Sequence, residues 1–262
     1  MTRYDAPVIA LVVDVEDPEG LGRVKVSFPW LAADGTTTTW APIVRPLAGK
    51  DTGFYYMPQV DDEAVVAFQF GDFHHPLVLG FLHNRPDPPP TTGIDTNVRR
   101  LRTVAGHQLE FDDRPDSESV RVTTKTGHQL ELHDDSGYVE LRTTGGQKVR
   151  MDDAPGRIRL STPGGTTVTL DDVPSSIQLT TTSGVTLTVS DAGGVSVSAP
   201  AGAVTVSALS AQVTSSTAVA VTAPTVSVNA AMTTFSGVVQ CTALLTQSVV
   251  SPVYTPGAGN IW

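Results

Sequence analysis

The stretch GHQLELHDDSGYVELRTTGGQKVRMDDAPGRIRLSTPGG, residues 127–165, states one phrase twice and then begins it again. Glycine opens the phrase, and apolar residues follow two apart (Leu130 and Leu132; Val149 and Met151). An acidic turn comes next, then a second alternating run (Val139 and Leu141; Ile158 and Leu160). Alternation with period two belongs to a pleated strand, whose successive side chains point to opposite faces. Each unit is therefore a strand, a turn and a second strand. Outward from this stretch the phrase recurs as GHQLEFDD, GTTVTLDD and GVTLTVSD, so that Gly106, Gly127, Gly146, Gly165 and Gly184 stand 21, 19, 19 and 19 residues apart. A fixed period of this size predicts a stacked repeat structure. The longer first step comes from RPDSES, which adds two residues to a turn and leaves the strands in phase.

From about Val195 the pattern thins to VSVSA, VTVSA, AQVTS, VAVTA and VSVNA. Inward candidates shrink from Leu, Phe and Met to Val and Ala, while outward ones change from Glu110, Glu131 and Arg150 to Thr169 and Thr188. All 17 Lys and Arg lie at or before Arg159, beyond which only Asp171, Asp172 and Asp191 are charged. Open strands with so little charge must have their edges paired or closed. One copy of the late segments buries too little apolar area to offset its ordering entropy. Three copies winding together would place three Val/Ala rows on a common axis and satisfy every backbone group between chains. The expectation is an all-β protein whose C-terminal part is a tapering, intertwined trimeric β-helix or β-prism.

Residues 1–85 read differently. PVIALVVDV, GRVKVSF, WAPIV, EAVVAFQF and PLVLGFLH are five strand-like runs separated by the turn-rich segments DPEGL, LAADGTT, LAGKDTG and GDFHH. Five short strands in this length fit a small Greek-key barrel of the OB type. RPDPPPTTG, residues 85–93, then forms a stiff extended spacer. The domains expected are a barrel over 1–85, a proline-rich linker over 86–96, a repeat needle over 97–250 and a tip segment over 251–262.

A formal net charge of -10 without a basic patch argues against binding nucleic acid or anionic membranes by charge. Cys241 is the only cysteine, which excludes an intrachain disulfide and multi-cysteine zinc, and its expected role is a small buried apolar residue. MTRYDAP lacks the pattern of a signal peptide, and no apolar run approaches a membrane span.

The motifs of residues 8–84 resemble the OB-fold domain of the phage baseplate assembly protein V and VgrG spike family. The resemblance rests on a Gly-Arg-Val-Lys-Val strand at Gly22 and Arg23, a Trp-x-Pro strand at Trp40 and Pro42, and a turn and strand at Pro58, Asp62 and Glu63. Gly71 and Asp72, then Pro76 and Gly80, complete it. The GHQLEFDD repeats are similar to the family's trimeric needle. Asp61 and Ala64 stand where the family usually has Gly and Val; Asp can adopt the left-handed conformation that such a turn needs. Since the chain starts almost on its first strand, the resemblance implies a hub on a separate polypeptide. No histidine follows His133, so SPVYTPGAGNIW is not a His-x-His iron tip. A separate PAAR-like cap is implied, docking on Tyr254, Pro256, Gly257, Gly259, Ile261 and Trp262, an apolar, uncharged end.

The residues capable of chemistry have plainer explanations. Asp112/Asp113, Asp134/Asp135, Asp152/Asp153 and Asp171/Asp172 could form a calcium ladder, but GGxGxD turns are absent, and Asp starting a tight turn accounts for them. Glycan cleavage needs one unlike acid pair in a cleft, whereas these recur in every rung. His107 and His128 share a repeat position and could meet on a threefold axis around a metal; a place beside a turn is the simpler reading. His74 and His75 lie in a solvated loop without a nucleophile. Phe28, Trp30, Trp40, Phe54 and Tyr55 come with too few cations for an oligonucleotide groove, so core and intersubunit packing explains them better.

The functional expectation is therefore a non-enzymatic structural part with no cofactor or metal. It is the homotrimeric spike of a contractile injection apparatus, assembled in the bacterial cytoplasm and placed in the baseplate of a phage or phage-tail-like particle. Its barrel end seats on a hub and tail tube, its tip docks the cap, and its contact with the target membrane is transient. A trimeric tailspike that binds or degrades surface glycans is the alternative.

Overall fold

The computed structural model describes residues 4–31, 37–90 and 95–251. They form two compact units, 1–204 and 205–262.

The first unit opens with a five-stranded antiparallel sheet in the order β3-β2-β1-β6-β7. Its strands are β1 (Val8–Asp14), β2 (Val24–Ser27), β3 (Thr38–Ala41), β6 (Glu63–Phe68) and β7 (Pro76–Leu82). The two edges meet where Ile43 bridges Val78 in parallel, and Val44 N–H donates to the Val78 carbonyl at 2.8 Å while Val78 N–H donates to that of Pro42 at 2.9 Å. These bonds close the sheet into a barrel. Alternation places Ala10 and Val12 of β1, Val24 and Val26 of β2, and Ala64, Val66 and Phe68 of β6 inside with Phe28 and Val78. The five runs expected from the sequence lead to these strands, with three adjustments. WAPIV, residues 40–44, shares only Trp40 and Ala41 with β3, which begins at Thr38 and leaves Ile43 as a single bridge. EAVVAFQF stops at Phe68 because Gln69–Gly71 turn as a 3-10 segment with Phe70 at φ 54. LAGKDTG carries a small hairpin of its own, β4 (Ala48–Gly49) with β5 (Thr52–Gly53).

The same unit continues as an eleven-stranded meander from β8 (Val98–Arg102) to β18 (Gly194–Ser198), each strand antiparallel to the next. Register carries two apolar rows across it. One runs Leu101, Leu109, Val122, Leu130, Leu141, Val149, Leu160 and onward to Val197; the other runs from Phe111 through Leu132, Met151, Ile158 and Leu170 to Val195. Between them, on the opposite face, lies the row Arg100, Glu110, Arg121, Glu131, Glu140, Arg150, Arg159, Thr169, Gln178 and Thr188. Strands β9–β17 are thus paired on both sides within one chain, which corrects the expectation that their backbone groups bond between chains; β8 and β18 are the edges. What these strands leave for another copy is a face of side chains.

The repeat glycines explain the turns. Gly106, Gly127, Gly146, Gly165 and Gly184 all have φ between 81 and 94. Each closes a turn begun three residues earlier by threonine: Gly106 N–H donates to the Thr103 carbonyl at 2.9 Å, and Thr103 N–H donates to the His107 carbonyl at 2.9 Å. Thr124, Thr143, Thr162 and Thr181 repeat both bonds in the later rungs. This is the three-residue hairpin whose last position is left-handed, which glycine fills without strain. A Cβ on Gly184 would meet open space, so a substitution there tests conformation alone. Gly184→Ala is expected to lower stability by about 1 kcal/mol, read from denaturant unfolding.

In the second unit, the described residues 205–251 contain no strand and are all solvent-exposed in the single chain. Val206, Leu209, Val213, Met232, Val238 and Leu245 are among the side chains left open. The strand-like pattern read from VTVSA to VSVNA therefore finds no ladder partner inside its own chain.

Candidate functional site: an assembly surface

The two faces of the meander behave in opposite ways. Leu141, Leu160 and Ile177 on the apolar face are 52%, 43% and 51% exposed, whereas Glu110 and Glu140 on the polar face are 8% and 7% exposed. Charged groups are covered here because they cover one another. Arg121 donates to Glu110 at 3.0 Å and to Glu131 at 2.6 Å, and Arg100 donates to Glu110 from the other side. Glu140 lies 3.6 Å from Lys148 and 3.8 Å from Arg150, whose Nε donates to Asp152 at 2.7 Å. Tyr138 packs between His133, ring centroids 5.0 Å apart, and the Arg150 guanidinium, 3.8 Å from its ring. A sheet that satisfies its charges by itself and leaves continuous apolar rows in water is built to be covered by another apolar surface.

The acidic pairs take a different role from the one expected. The first Asp of three of them stays in phase with the polar row and accepts from an arginine: Asp112 from Arg114, Asp152 from Arg150 and Asp171 from Arg157. Only Asp112 also accepts a turn N–H, from Arg114 at 3.1 Å. The backbone N–H of the second Asp extends the ladder, as when Asp153 donates to the Gly137 carbonyl at 2.9 Å. The Arg114 guanidinium, bonded to the buried Asp112 carboxylate, holds its pKa down from 3.8 to about 2. A depressed carboxylate stabilises the fold above its ordinary pKa and loses that contribution as pH falls through the depressed one. Thermal unfolding of the full chain should therefore weaken between about pH 4 and pH 2, and Asp112→Asn should flatten part of that decline.

His107 and His128 lie beside turns, as expected. The Nδ1 of His107 accepts from Lys125 N–H at 3.2 Å, and that of His128 accepts from Thr144 N–H at 3.4 Å, so each imidazole ties its own turn to that of the next repeat. Among the described residues no group of three His, Cys, Asp or Glu could hold a metal ion. Cys241 is exposed in the single chain, which corrects the expectation of a buried apolar residue; the segment around it has nothing of its own chain to pack on.

The motif residues of the barrel hold its turns. Asp17, which sequence reasoning passed over, accepts N–H groups from Glu19, Leu21 and Arg23 and pairs with the Arg23 guanidinium at 2.7 Å. That contact pulls the Asp17 pKa well below the usual carboxylate range. Its sequence signal is an Asp followed by the left-handed Gly20 and Gly22. Arg23 also lies over Trp40, 5.9 Å from its ring. Pro58 is buried, and Asp61 adopts φ 76, the left-handed turn expected of it. Asp62 accepts from Gln59 N–H at 2.8 Å, and Glu63 opens β6. Gly71 at φ 74 offers its carbonyl to Tyr4 N–H, and Asp72 accepts from His74 N–H at 3.0 Å. Pro76 begins β7 opposite Phe68, and Gly80 faces Val65 at a bulge. Phe28 is fully buried, with ring centroids 5.7 Å from Phe68 and 5.1 Å from Phe73, and Trp30 caps it at 5.9 Å while donating Nε1–H to the Ile9 carbonyl. Tyr254, Pro256, Gly257, Gly259, Ile261 and Trp262 lie outside the described residues.

No helix among the described residues is long and apolar enough to cross a membrane. Comparison with known families matches residues 8–83 to the type VI secretion system and phage-baseplate injector OB domain, and residues 157–234 to the phage baseplate V C-terminal trimerisation domain. The first match coincides with the barrel. The second covers strands of the meander and continues into the residues that lack intrachain partners. Similar proteins include the type VI secretion system spike protein VgrG3 of Vibrio cholerae, 28% identical over 50% of this chain and 14% of that protein. Spike protein VgrG2a of Pseudomonas aeruginosa is 35% identical over 42% of this chain and 15% of its own length. The actin cross-linking toxin VgrG1 of Vibrio cholerae is 28% identical over 45% of this chain and 12% of itself. The chain thus spans about one-seventh of the VgrG3 sequence it matches. With a closed barrel matching the injector OB domain and a strand repeat matching the trimerisation domain, the chain belongs to the phage baseplate V and VgrG-like spike family.

Proposed function

We propose that this chain is the homotrimeric central spike of a contractile injection apparatus. The observation that carries the reading is the apolar face of β8 to β18, exposed along its length in one chain, together with residues 205–250, which form no strand in that chain and are solvent-exposed throughout. Two further copies would supply the missing cover, consistent with the trimerisation match at 157–234. In this reading the barrel of residues 1–85 seats on a separate hub and the tail tube, and residues 86–96 act as a spacer. Residues 97–250 form the needle that carries contraction force to the target envelope, and residues 251–262 dock a PAAR-like cap. Interchain packing that must break together makes such a needle slow to unfold.

No reaction is assigned to the chain. The exposed apolar rows are aliphatic, with Phe111 the one aromatic among them, whereas a sugar-binding groove is lined by aromatics and unpaired acids. The test is electron microscopy of purified contractile particles labelled with an antibody against this chain. Label confined to the baseplate end is expected. Label on lateral fibres, or release of reducing sugar from surface glycans by the purified protein, would replace the spike with a tailspike.

A further inference from the structure

Arg45 is an arginine without an acid. It follows β3 on the barrel, and one nitrogen, Nη2, donates to the Gly22 carbonyl at 3.3 Å and to the Met57 sulfur at 3.4 Å. The Tyr55 ring lies 5.1 Å from the guanidinium carbon. Its Nε is buried with no hydrogen-bond partner, and no salt bridge forms to it among the described residues. Arg23 on the same barrel, by contrast, is held by both Asp17 and Glu19. An unpaired buried donor on a guanidinium is costly, and a carboxylate is the partner that its planar fork fits.

The surroundings form a site rather than a bare side chain. The hairpin of β4 and β5 curls over Arg45 and encloses an open pocket of about 370 Å3 lined by Arg45, Leu47, Asp51, Phe54 and Tyr55. Its shape is fixed: Phe54 N–H donates to the Leu47 carbonyl at 3.0 Å, Asp51 is left-handed at φ 56, and a Cβ on Gly53 would come within 2.5 Å of the Leu47 carbonyl. Gly22 lies close against the two, where an added Cβ would touch both Arg45 and Tyr55 at 3.5 Å. Leu47 and Tyr55 remain 54% and 71% exposed, so a rigid arm carries apolar side chains away from the barrel around an unpaired cation.

We propose that the Arg45 pocket receives a carboxylate side chain from the barrel of a second copy of this chain, and that the arm is an intersubunit clasp. The inference rests on the homotrimer of the preceding subsection. Charge selects the occupant: residues 1–85 contain 11 Asp and Glu against 6 Lys and Arg, so a sibling barrel presents an acidic surface. Three chains joined through their repeats also hold their barrels at high effective concentration, which favours a neighbouring copy over a free partner.

Lys50, exposed in the arm, gives the readout. The purified full chain, Arg45→Glu, Arg45→Lys and Leu160→Asp, which puts a charge on the apolar sheet face and separates the copies, are each treated with trypsin. Native mass spectrometry and tryptophan fluorescence are recorded in parallel to establish copy number and barrel folding. The wild-type trimer should resist cleavage after Lys50. Arg45→Glu should be cleaved about tenfold faster while still trimeric and folded. Arg45→Lys should fall between them, and Leu160→Asp should be cleaved readily although its Arg45 is intact. A wild-type trimer cut as fast as Arg45→Glu, or a separated Leu160→Asp chain as resistant as wild type, overturns the clasp alone. A folded wild-type monomer overturns the trimer along with it.

Discussion

Leu160→Asp should abolish assembly. Leu160 stands in the middle of one apolar row, opposite Val149 and Val168, on a face with no cover in its own chain. In a trimer that face turns inward, and three carboxylates would meet there without cations, since every arginine of the middle row projects from the opposite side of the sheet. An uncompensated buried charge costs about 3–5 kcal/mol for each chain. Sedimentation should show separated or aggregated chains at concentrations where wild type is fully assembled. Thr169→Asp, a residue away in register but on the polar face, should leave assembly unchanged, and this contrast shows that the face matters rather than the added charge.

Phe28→Ala should unfold the barrel while sparing the repeats. Phe28 is completely buried at the centre of a cluster with Phe68, Phe73 and Trp30, in a core otherwise made of Val and Ala. Removing the ring leaves a cavity that a closed sheet relaxes around poorly, at a cost of about 3–5 kcal/mol. A domain of this size has only about 5–15 kcal/mol in total. Trp30 and Trp40 report on the barrel, so fluorescence should lose its native signal at a lower temperature while the strand signal of the repeats, by circular dichroism, melts where it did before. Coincident loss of both signals would show that barrel and repeats unfold as one unit.

The sequence makes the architecture plain wherever one residue's environment repeats. Period two fixes which face Leu130, Leu132, Val149 and Met151 share, and register then joins them into rows without further information. The glycines announce their left-handed turns, and Asp61 takes that conformation in place of glycine. Less visible is the threonine that starts each turn. Thr103, Thr124, Thr143, Thr162 and Thr181 recur as faithfully as the glycines three positions later, and their meaning is a pair of backbone bonds that spacing alone does not display. Of the acids at the edge of the turn, Asp112 accepts a turn N–H as its spacing suggests, while Asp152 and Asp171 pair with arginines instead. Their side chains still follow strand alternation, which brings them beside arginines. Arg45 is illegible in sequence for the opposite reason: an unsatisfied Nε depends on Gly22, Tyr55 and Met57, which are separated along the chain and gathered only by the barrel.

The charge-free distal part shows where chain-local reasoning stops. Strand propensity in AQVTS or VAVTA describes what the backbone favours, while the ladder that would satisfy it needs strand edges that residues 205–250 do not find in their own chain. Sedimentation equilibrium of the purified 262-residue chain tests this most directly. A single species of about 83 kDa, three times 27.6 kDa, that persists on dilution is expected. A folded, soluble species of 27.6 kDa would contradict it.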